Sequence, residues 1–297
     1  MESVTRHLVQ HAQQLASEIG ARAMLVSAEA VHQDEELCQL LSEMDFPAIL
    51  FSRTQEASGH QRVGRQVCVS VPDVHMTRAG QVKAAVLVCV ARGLLQRGDR
   101  VICLAGVDGS GLVDGLLVLD LGTEPELFSL FDTVAFAGDV APEVFERVLS
   151  LAAQLAAEGR EGRPVGTLFV LGDSDRVLTH SRSMVLNPFQ GHPESERNIL
   201  DPILEDTIKE FAALDGAFVV RGDGVVLTAG SQLLSSSSHP RLPSGLGTRH
   251  AAAAGITAST AAVAVCISQS TGAVSVFRSG QLITDIHRQP SPSRLAG

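Results

Sequence analysis

Apolar positions along the chain follow two periods, one typical of helices and one typical of buried strands. Near the start, apolar residues are spaced by three and four: Val4, Leu8, Ala12, Leu15 and Ile19. This spacing predicts an amphipathic opening helix. Short apolar runs predict strands at 23–26, 48–51, 67–71, 101–105 and 116–121. A longer segment, 79–95, predicts a helix that ends near Arg97-Gly98.

The second half of the chain continues this alternation and adds hairpins. The predicted strands are 165–171, 218–220, 225–227, 263–267 and 274–277, and the predicted helices are 142–157 and 203–214. Asp223-Gly224 marks the turn of the first hairpin, and Thr271-Gly272 lies in the second turn. We therefore expect an α/β fold. It has an N-terminal α/β domain with a mostly parallel sheet and a C-terminal α/β domain with a mixed central sheet flanked by helices.

The regular pattern is interrupted between Gly122 and Asp139, which places the domain boundary between about 122 and 140. We assign residues 1–130 to the first domain and residues 131–288 to the second. The last residues, 289–297, combine prolines with serines, which predicts a disordered tail.

Composition narrows the functional classes. Of the 297 residues, 45% are apolar but only 4% are aromatic, with no Trp and no Tyr. The net charge is −10, and the sequence has no run of Lys and Arg. Nucleic-acid binding calls for a basic face and, for single strands, aromatic side chains on which bases stack. We therefore expect no nucleic-acid partner.

Cysteine usage and the amino terminus bear on location. The cysteines are Cys38, Cys68, Cys89, Cys103 and Cys266, an odd number without a C-x-x-C pair. They indicate small buried residues in a reducing compartment rather than disulfides or a zinc site. The first residues lack the apolar core of a signal peptide, and no apolar run reaches 18 residues. The sequence therefore predicts a cytoplasmic protein without a membrane partner.

The segment Gly247-Thr248-Arg249-His250 is followed by four alanines, Ala251–Ala254. Alanine has the highest helix propensity, so the run predicts a helix with Thr248 as its N-terminal cap. A helix start offers free backbone N–H groups and partial positive charge, which suit phosphate. With the donors of Arg249 and His250 added, the segment predicts a triphosphate clamp. An ordinary capped helix with a solvated first turn explains the same residues equally well.

Asp215-Gly216-Ala217 lies where a predicted helix meets a predicted strand. A carboxylate at this position can hold Mg²⁺ or Mn²⁺, because hard cations prefer oxygen ligands. Gly216 allows a ligand to approach the backbone closely. The alternative is a plain turn, since Asp-Gly is favoured in turns whatever the function. These three residues alone favour the turn.

Two other segments invite a functional interpretation that we do not adopt. The glycine-rich segment 106–111 follows a strand but lacks the spacing of phosphate-binding loops, so we expect a connecting loop. His192, Glu194 and Glu196 alternate as metal ligands do, yet such spacing in a polar loop is weak, and we interpret them as structural.

The two clusters together resemble a known family. Asp215-Gly216-Ala217 is followed, about thirty residues later, by Gly247-Thr248-Arg249-His250 and then by Ser268. This order resembles the diadenylate cyclase domain, whose hallmarks are a D-G-A motif and a later R-H-R motif. The resemblance covers about 165–286. Residues 82–120 are similar to the C-terminal domain of pyruvate kinase, a domain that one subgroup of the family carries before its cyclase domain.

The resemblance implies a nucleotidyltransferase that condenses two ATP into cyclic di-AMP and releases two pyrophosphates. The implied catalytic residues are Asp215, Arg249 and His250. The implied ATP-binding residues are Gly216, Ala217, Leu233, Gly247, Thr248, Arg249, His250 and Ser268. In this scheme Asp215 binds Mg²⁺ or Mn²⁺ and orients the ribose 3′-hydroxyl, and Leu233 packs on adenine. Because each domain holds one ATP, two domains must meet face to face, as a dimer or a higher homo-oligomer.

The sequence departs from the family pattern at two places. The second Arg of R-H-R is Ala251 here, and a common T-D-A element reads Thr260-Ala261-Ala262. A lost charge-assisted phosphate contact costs on the order of 1.5–3 kcal/mol, which another cation such as Arg241 would have to offset. The alternative function is therefore a nucleotide-binding sensor or regulatory protein with weakened catalysis. A third interpretation makes the first domain a small-molecule regulatory module that controls the second domain.

Overall fold

The computed structural model describes residues 2–31, 35–44, 46–53, 66–107, 110–122, 138–160, 163–234 and 246–287. The chain divides into two compact units, residues 1–132 with 286–297, and residues 133–285. The predicted boundary at 130/131, the tail 289–297 and Arg241 all lie outside the described residues. The boundary and the tail therefore stay predictions.

The first unit is built on a mostly parallel sheet. Its described elements are α1 (Glu2–Ile19), β1 (Ala23–Ser27), α2 (Ala28–Val31), α3 (Glu35–Glu43), β2 (Ala48–Ser52), β3 (Val67–Ser70), α4 (Arg78–Ala91), β4 (Arg100–Ala105) and β5 (Gly115–Asp120). The strand order is β3-β2-β1-β4-β5, and all pairs are parallel except β4 with β5. The predicted α/β class with a largely parallel sheet is confirmed for this unit.

Helix α4 ends one turn earlier than the sequence pattern predicts. Thr77 caps its first turn by accepting a hydrogen bond from the Gly80 N–H. At the other end, Gly93 adopts a left-handed φ of 68°, and the Leu94 N–H donates to the Cys89 carbonyl at 2.8 Å. The predicted C-cap at Arg97-Gly98 is therefore wrong, because the earlier glycine already reverses the chain.

The second unit has a mixed sheet with helices on both faces. Its described elements are α5 (Pro142–Glu158), β6 (Leu168–Leu171), α6 (Ser174–Thr179), β7 (Ser181–Ser183), a short 3₁₀ helix (Glu194–Arg197), α7 (Leu204–Phe211), β8 (Ala217–Val220), β9 (Val226–Leu233), α8 (Thr248–Ser259), β10 (Val263–Ile267), β11 (Val274–Arg278) and β12 (Gln281–Ile286). The strand order is β12-β11-β10-β6-β8-β9-β7. The predicted mixed central sheet is confirmed.

Pairing directions in this sheet decide where its loops meet. Strands β6 and β8 run parallel, while β8 pairs antiparallel with β9 and β6 pairs antiparallel with β10.

Both predicted hairpins are confirmed, and the Gly224 N–H closes the first one on the Arg221 carbonyl at 2.9 Å. The first strand of the unit is shorter than the predicted 165–171, and α6, β7 and β12 were not predicted.

The two faces of the second sheet bury different side chains. One face packs against the alanine side of α8 and holds small aliphatic residues such as Val170, Val219 and Ala264. On the other face, the rings of Phe169 and Phe218 stack with centroids 4.9 Å apart, and Phe189 packs 6.4 Å from Phe218. Among the described helices, none combines the length and the apolar character needed to cross a membrane.

We expect truncation of the central ring to destabilise the second unit strongly. Phe218 is 1% exposed and contacts two other rings. Phe218→Ala should lower the free energy of unfolding by about 3–5 kcal/mol, because a large buried side chain is replaced by a cavity. Urea titration followed by circular dichroism measures this, since the chain has no Trp or Tyr for fluorescence. The control is Leu186→Ala, at a side chain that is 96% exposed, which should change the value by less than about 0.5 kcal/mol.

Candidate active site

Backbone segments from four strands converge at one edge of the second sheet. Leu168 at the start of β6 pairs with Ala217 at the start of β8. Ala217 also pairs with Ser231 near the end of β9, and Leu168 pairs with Cys266 near the end of β10. Two strand beginnings and two strand endings therefore share this edge. Asp215 lies here, two residues before the start of β8.

Asp215 is held by a turn that only glycine can complete. Gly216 has a φ of 105°, and a Cβ built on it would lie 2.6 Å from the backbone carbon of Gly230 and 2.7 Å from the Ser231 nitrogen. Both the dihedral angle and the space therefore demand glycine. The turn presents the Asp215 side chain outward, where it is 83% exposed. Its carboxylate oxygens are thus available to a ligand.

The start of α8 supplies the cationic part of the site. Gly247 is the N-cap, with extended backbone, and its carbonyl accepts hydrogen bonds from the N–H groups of His250 and Ala251 at 3.1 and 3.2 Å. The prediction of Thr248 as the cap is wrong by one position, because Thr248 is already the first helical residue. Its N–H and that of Arg249 belong to the first turn, which has no intrahelical acceptor for them.

Arg249 links the two predicted clusters. Its Nη2 donates to Oδ1 of Asp215 at 3.4 Å, and its Nη1 donates to Oε1 of Gln269 at 3.4 Å. The Arg249 side chain is 30% exposed. A permanently charged guanidinium and a solvent-facing carboxylate therefore lie side by side, although they are far apart in sequence.

His250 does not share this orientation. Its side chain is only 5% exposed, its Nε2 lies 3.3 Å from Oγ of Ser275, and its ring meets Phe277 edge-on at 5.9 Å. Burial lowers the pKa of His250, because the charged imidazolium loses solvation. The structure therefore places the His250 ring between α8 and the sheet, and not beside Asp215, where the Arg249 guanidinium lies.

The other predicted ligand-binding residues lie on the elements that form this edge. Leu233 ends β9, opposite Ser181 of β7, and packs against the apolar cluster beneath α8. Ser268 follows β10, and its hydroxyl lies 3.2 Å from that of Ser270 and accepts from the Thr271 N–H at 3.3 Å. The structure thus brings Asp215, Gly216, Ala217, Leu233, Gly247, Thr248, Arg249 and Ser268 to one region of the unit.

The described residues provide few metal-binding groups. No group of three or more His, Cys, Asp or Glu side chains in the described part of the chain is arranged to hold a metal ion. Glu194 instead binds Arg221 through two hydrogen bonds, at 2.8 and 2.6 Å, and these bonds lower the pKa of Glu194. His192 lies 3.8 Å from Glu196. A cation at the site would rely on the Asp215 carboxylate and on oxygens brought by a ligand.

Two residues of the site were not predicted from the sequence. Gln269 contacts Arg249, and Gly166 lies beneath both of them: a Cβ at Gly166 would be 2.9 Å from Nη1 of Arg249 and 2.9 Å from Cβ of Gln269. The only sequence signal was their position, with Gln269 directly after Ser268 and Gly166 just before a strand. Neither position distinguishes them from ordinary loop residues.

Comparison with known proteins yields two family matches. Residues 154–282 match the family described as DisA bacterial checkpoint controller nucleotide-binding. Residues 5–128 match the family described as Probable sensor domain DacZ_P. The second match does not test the predicted similarity to the pyruvate kinase C-terminal domain, which stays a prediction.

Curated relatives match over most of their length. A diadenylate cyclase of Methanocaldococcus jannaschii is 27% identical over 94% of this chain and 96% of its own. A diadenylate cyclase of Haloferax volcanii is 31% identical over 82% of this chain and 87% of its own. Among solved structures, DacA from Staphylococcus aureus is 26% identical, with a TM-score of 0.34, over 52% of this chain and 90% of that one.

The buried state of His250 predicts a pH dependence of stability. Because the folded-state pKa is lowered, the unfolded chain binds the proton more readily, so stability is lost as pH falls below the unfolded pKa of about 6.5. Between pH 7.5 and 5.5 this group should contribute a loss of at most about 1.4 kcal/mol. His250→Gln should remove that part of the loss in urea titrations at the two pH values.

The matched control for His250 is His192→Gln, whose side chain is 60% exposed. This variant should still lose the stability that His250 causes the protein to lose between pH 7.5 and pH 5.5. If His250→Gln shows the same pH dependence as the unsubstituted protein, the buried neutral state of the ring is refuted.

Proposed function

The chain belongs to the diadenylate cyclase family, and on that premise we propose that it condenses two ATP into cyclic di-AMP with release of two pyrophosphates. The observation that carries the proposal is the contact between Arg249 and Asp215 at 3.4 Å. It brings the two motifs of the family together, with a carboxylate next to a helix start that suits phosphate. Such a pair suits a nucleoside triphosphate with its cation.

The proposed role of Asp215 is to hold Mg²⁺ or Mn²⁺ and to orient the ribose 3′-hydroxyl. A single exposed carboxylate fits this cation, because Mg²⁺ is usually bound by one or two carboxylates together with substrate phosphates. When bound, the cation would neutralise charge on the phosphates. Gly216 and Ala217 present backbone to the nucleotide, and Leu233 offers an apolar side chain to adenine.

In the first turn of α8, Thr248 and Arg249 would bind the phosphates. The first-turn N–H groups of α8 and the guanidinium fork provide donors for phosphate oxygens. Ser268 adds a hydroxyl nearby. We assign His250 a supporting role: its buried ring fixes the first turn of α8 against Ser275 and Phe277. This replaces the phosphate-binding role that the sequence resemblance implied for its side chain.

The chemistry requires little from the protein beyond positioning. Each 3′-hydroxyl releases its proton to solvent as its oxygen attacks the α-phosphorus of the partner nucleotide in line, and the bond from that phosphorus to the leaving pyrophosphate breaks. Holding both reacting atoms in place converts an encounter in solution into a step within one complex. Since one site holds one ATP, we propose that two copies of the chain meet with their sites face to face, as a homodimer or within a larger homo-oligomer.

For the first unit we propose a regulatory role. Its match to a family described as a probable sensor domain supports this proposal. The predicted relation to the pyruvate kinase C-terminal domain is a finer form of the same proposal. A cytoplasmic location and the absence of a nucleic-acid partner also stay predictions.

The first test is the reaction itself. Incubation with ATP and Mg²⁺ or Mn²⁺ should yield cyclic di-AMP and pyrophosphate, identified by mass spectrometry. Asp215→Asn should lower the rate at least about a hundredfold, because the uncharged amide is a poor cation ligand and no longer balances charge at the reacting centre. Asp206→Asn, on the exposed side of α7, is the matched control and should keep full activity.

Two outcomes would contradict the proposal. Unchanged turnover by Asp215→Asn would remove this carboxylate from the mechanism. Binding of ATP without any product would favour the alternative of a nucleotide-binding sensor, for which Ala251 in place of the family's second Arg is the specific observation.

The second test addresses the face-to-face pair. When Asp215→Asn protein is mixed with an equal amount of unsubstituted protein, the activity per unsubstituted chain should fall to about half. About half of the unsubstituted chains then pair with an inactive copy. Sedimentation of the variant checks that it still associates. A rate per active chain that is independent of the added variant would show that one chain completes the reaction alone.

A further inference from the structure

Two side chains hold the Arg249 guanidinium, and a nucleotide with its cation would disturb one of the two contacts. Of the hydrogen bonds that the described residues offer its guanidinium, one goes to Asp215 and one to Gln269. In the proposed function, the Asp215 carboxylate would hold a cation. A cation and a guanidinium compete for the same oxygens, so the contact between Asp215 and Arg249 weakens when substrate arrives.

Gln269 has the chemistry to hold Arg249 after that change. Its Oε1 accepts from Nη1 of Arg249, while its Nε2 donates to the Pro164 carbonyl at 3.3 Å. The amide is thus anchored on the segment that enters β6. Its backbone lies in a closed turn, where the Ser268 N–H donates to the Ala273 carbonyl at 2.9 Å and the Gly272 N–H donates to the Ser268 carbonyl at 2.8 Å.

An amide suits this position better than a carboxylate. A carboxylate would neutralise the guanidinium and compete with phosphate for its donors. The neutral Oε1 of Gln269 accepts one N–H and leaves the positive charge and the other donors of Arg249 to the substrate. An amide is also required for the second bond, because only Nε2 can donate to the Pro164 carbonyl.

Gly166 completes the arrangement by leaving space. Gly166 is buried and has no side chain. A Cβ at this position would lie 2.9 Å from Nη1 of Arg249 and 2.9 Å from Cβ of Gln269, so glycine leaves room for both groups. Its backbone is not in the left-handed region, so the need at this position is for room rather than for a special φ.

We propose that Gln269, seated over Gly166, is a positioning residue that keeps the Arg249 guanidinium directed at the triphosphate while Asp215 binds the cation. The proposal rests on the proposed function of the site. Gln269 itself does not touch the reacting atoms. It limits the rotamer freedom of a long side chain whose ordering otherwise opposes binding.

The experiment measures kcat and KM for ATP in Gln269→Ala, Gln269→Glu and Gln281→Ala. The last variant replaces an exposed glutamine in β12 and is the matched control. Gln269→Ala should lower kcat/KM about tenfold, mainly through KM, because Arg249 contacts the phosphates both before and during reaction. Gln269→Glu should be at least as impaired despite its equal size, while Gln281→Ala should match the unsubstituted protein.

A double-mutant cycle separates positioning from a general structural effect. In the Arg249→Ala background, Gln269→Ala should have little further effect, because the group that it positions is gone. A tenfold loss that persists in that background would overturn the proposal. So would full kcat/KM in Gln269→Ala, or normal kinetics in Gln269→Glu.

The result can be told apart from a failure of the proposed function. If the unsubstituted protein makes no cyclic di-AMP, the proposed function fails, and affinity for a non-hydrolysable ATP analogue replaces kcat/KM as the readout. Calorimetry should then show that Gln269→Ala weakens analogue binding about tenfold in the otherwise unsubstituted protein. In the Arg249→Ala background, the same substitution should not weaken it further. Equal analogue affinity for Gln269→Ala and the unsubstituted protein would reject the positioning role alone.

Discussion

The parallel pairing of β6 with β8, enclosed by antiparallel neighbours on both sides, is the constraint on which the site depends. Because β9 and β10 run against β8 and β6, their ends lie at the edge where β6 and β8 begin. The turn that carries Asp215 and the turn that follows β10 therefore lie at the same end of the sheet. If β6 and β8 ran in opposite directions, the two turns would lie at opposite ends of the sheet, and no side chain could bridge them.

Much of the fold was predictable because the buried strands are apolar runs and the turns carry glycine. One of the two strands that were missed lacks that signal. Ser181–Ser183 pairs through its backbone with the end of β9 and contains no apolar residue. The end of α4 was misplaced because two glycines follow that helix, and sequence alone does not tell which of them takes the left-handed turn first.

The site was predictable as far as its motifs are local. Asp215-Gly216 stands at a helix–strand junction, and the alanines mark a helix whose first turn holds Arg249. The direction of His250 was not predictable, because a helix of alanines has little contrast between its faces to show which one packs against the sheet. Gln269 was missed for a different reason: its contacts with Arg249 and Pro164 are long-range, and no local pattern announces them.

Arg249 and His250 are neighbours in sequence, yet the rotation of about 100° between successive helical residues turns their side chains into different environments. Arginine keeps its charge at any pH at which a protein is folded, while the imidazole beside it is kept neutral by burial. Mild acidification therefore leaves the positive charge of Arg249 at the start of α8 as it is. It acts instead on the packing of α8 against Ser275 and Phe277. Acid would therefore weaken nucleotide binding only by loosening the helix that carries Arg249.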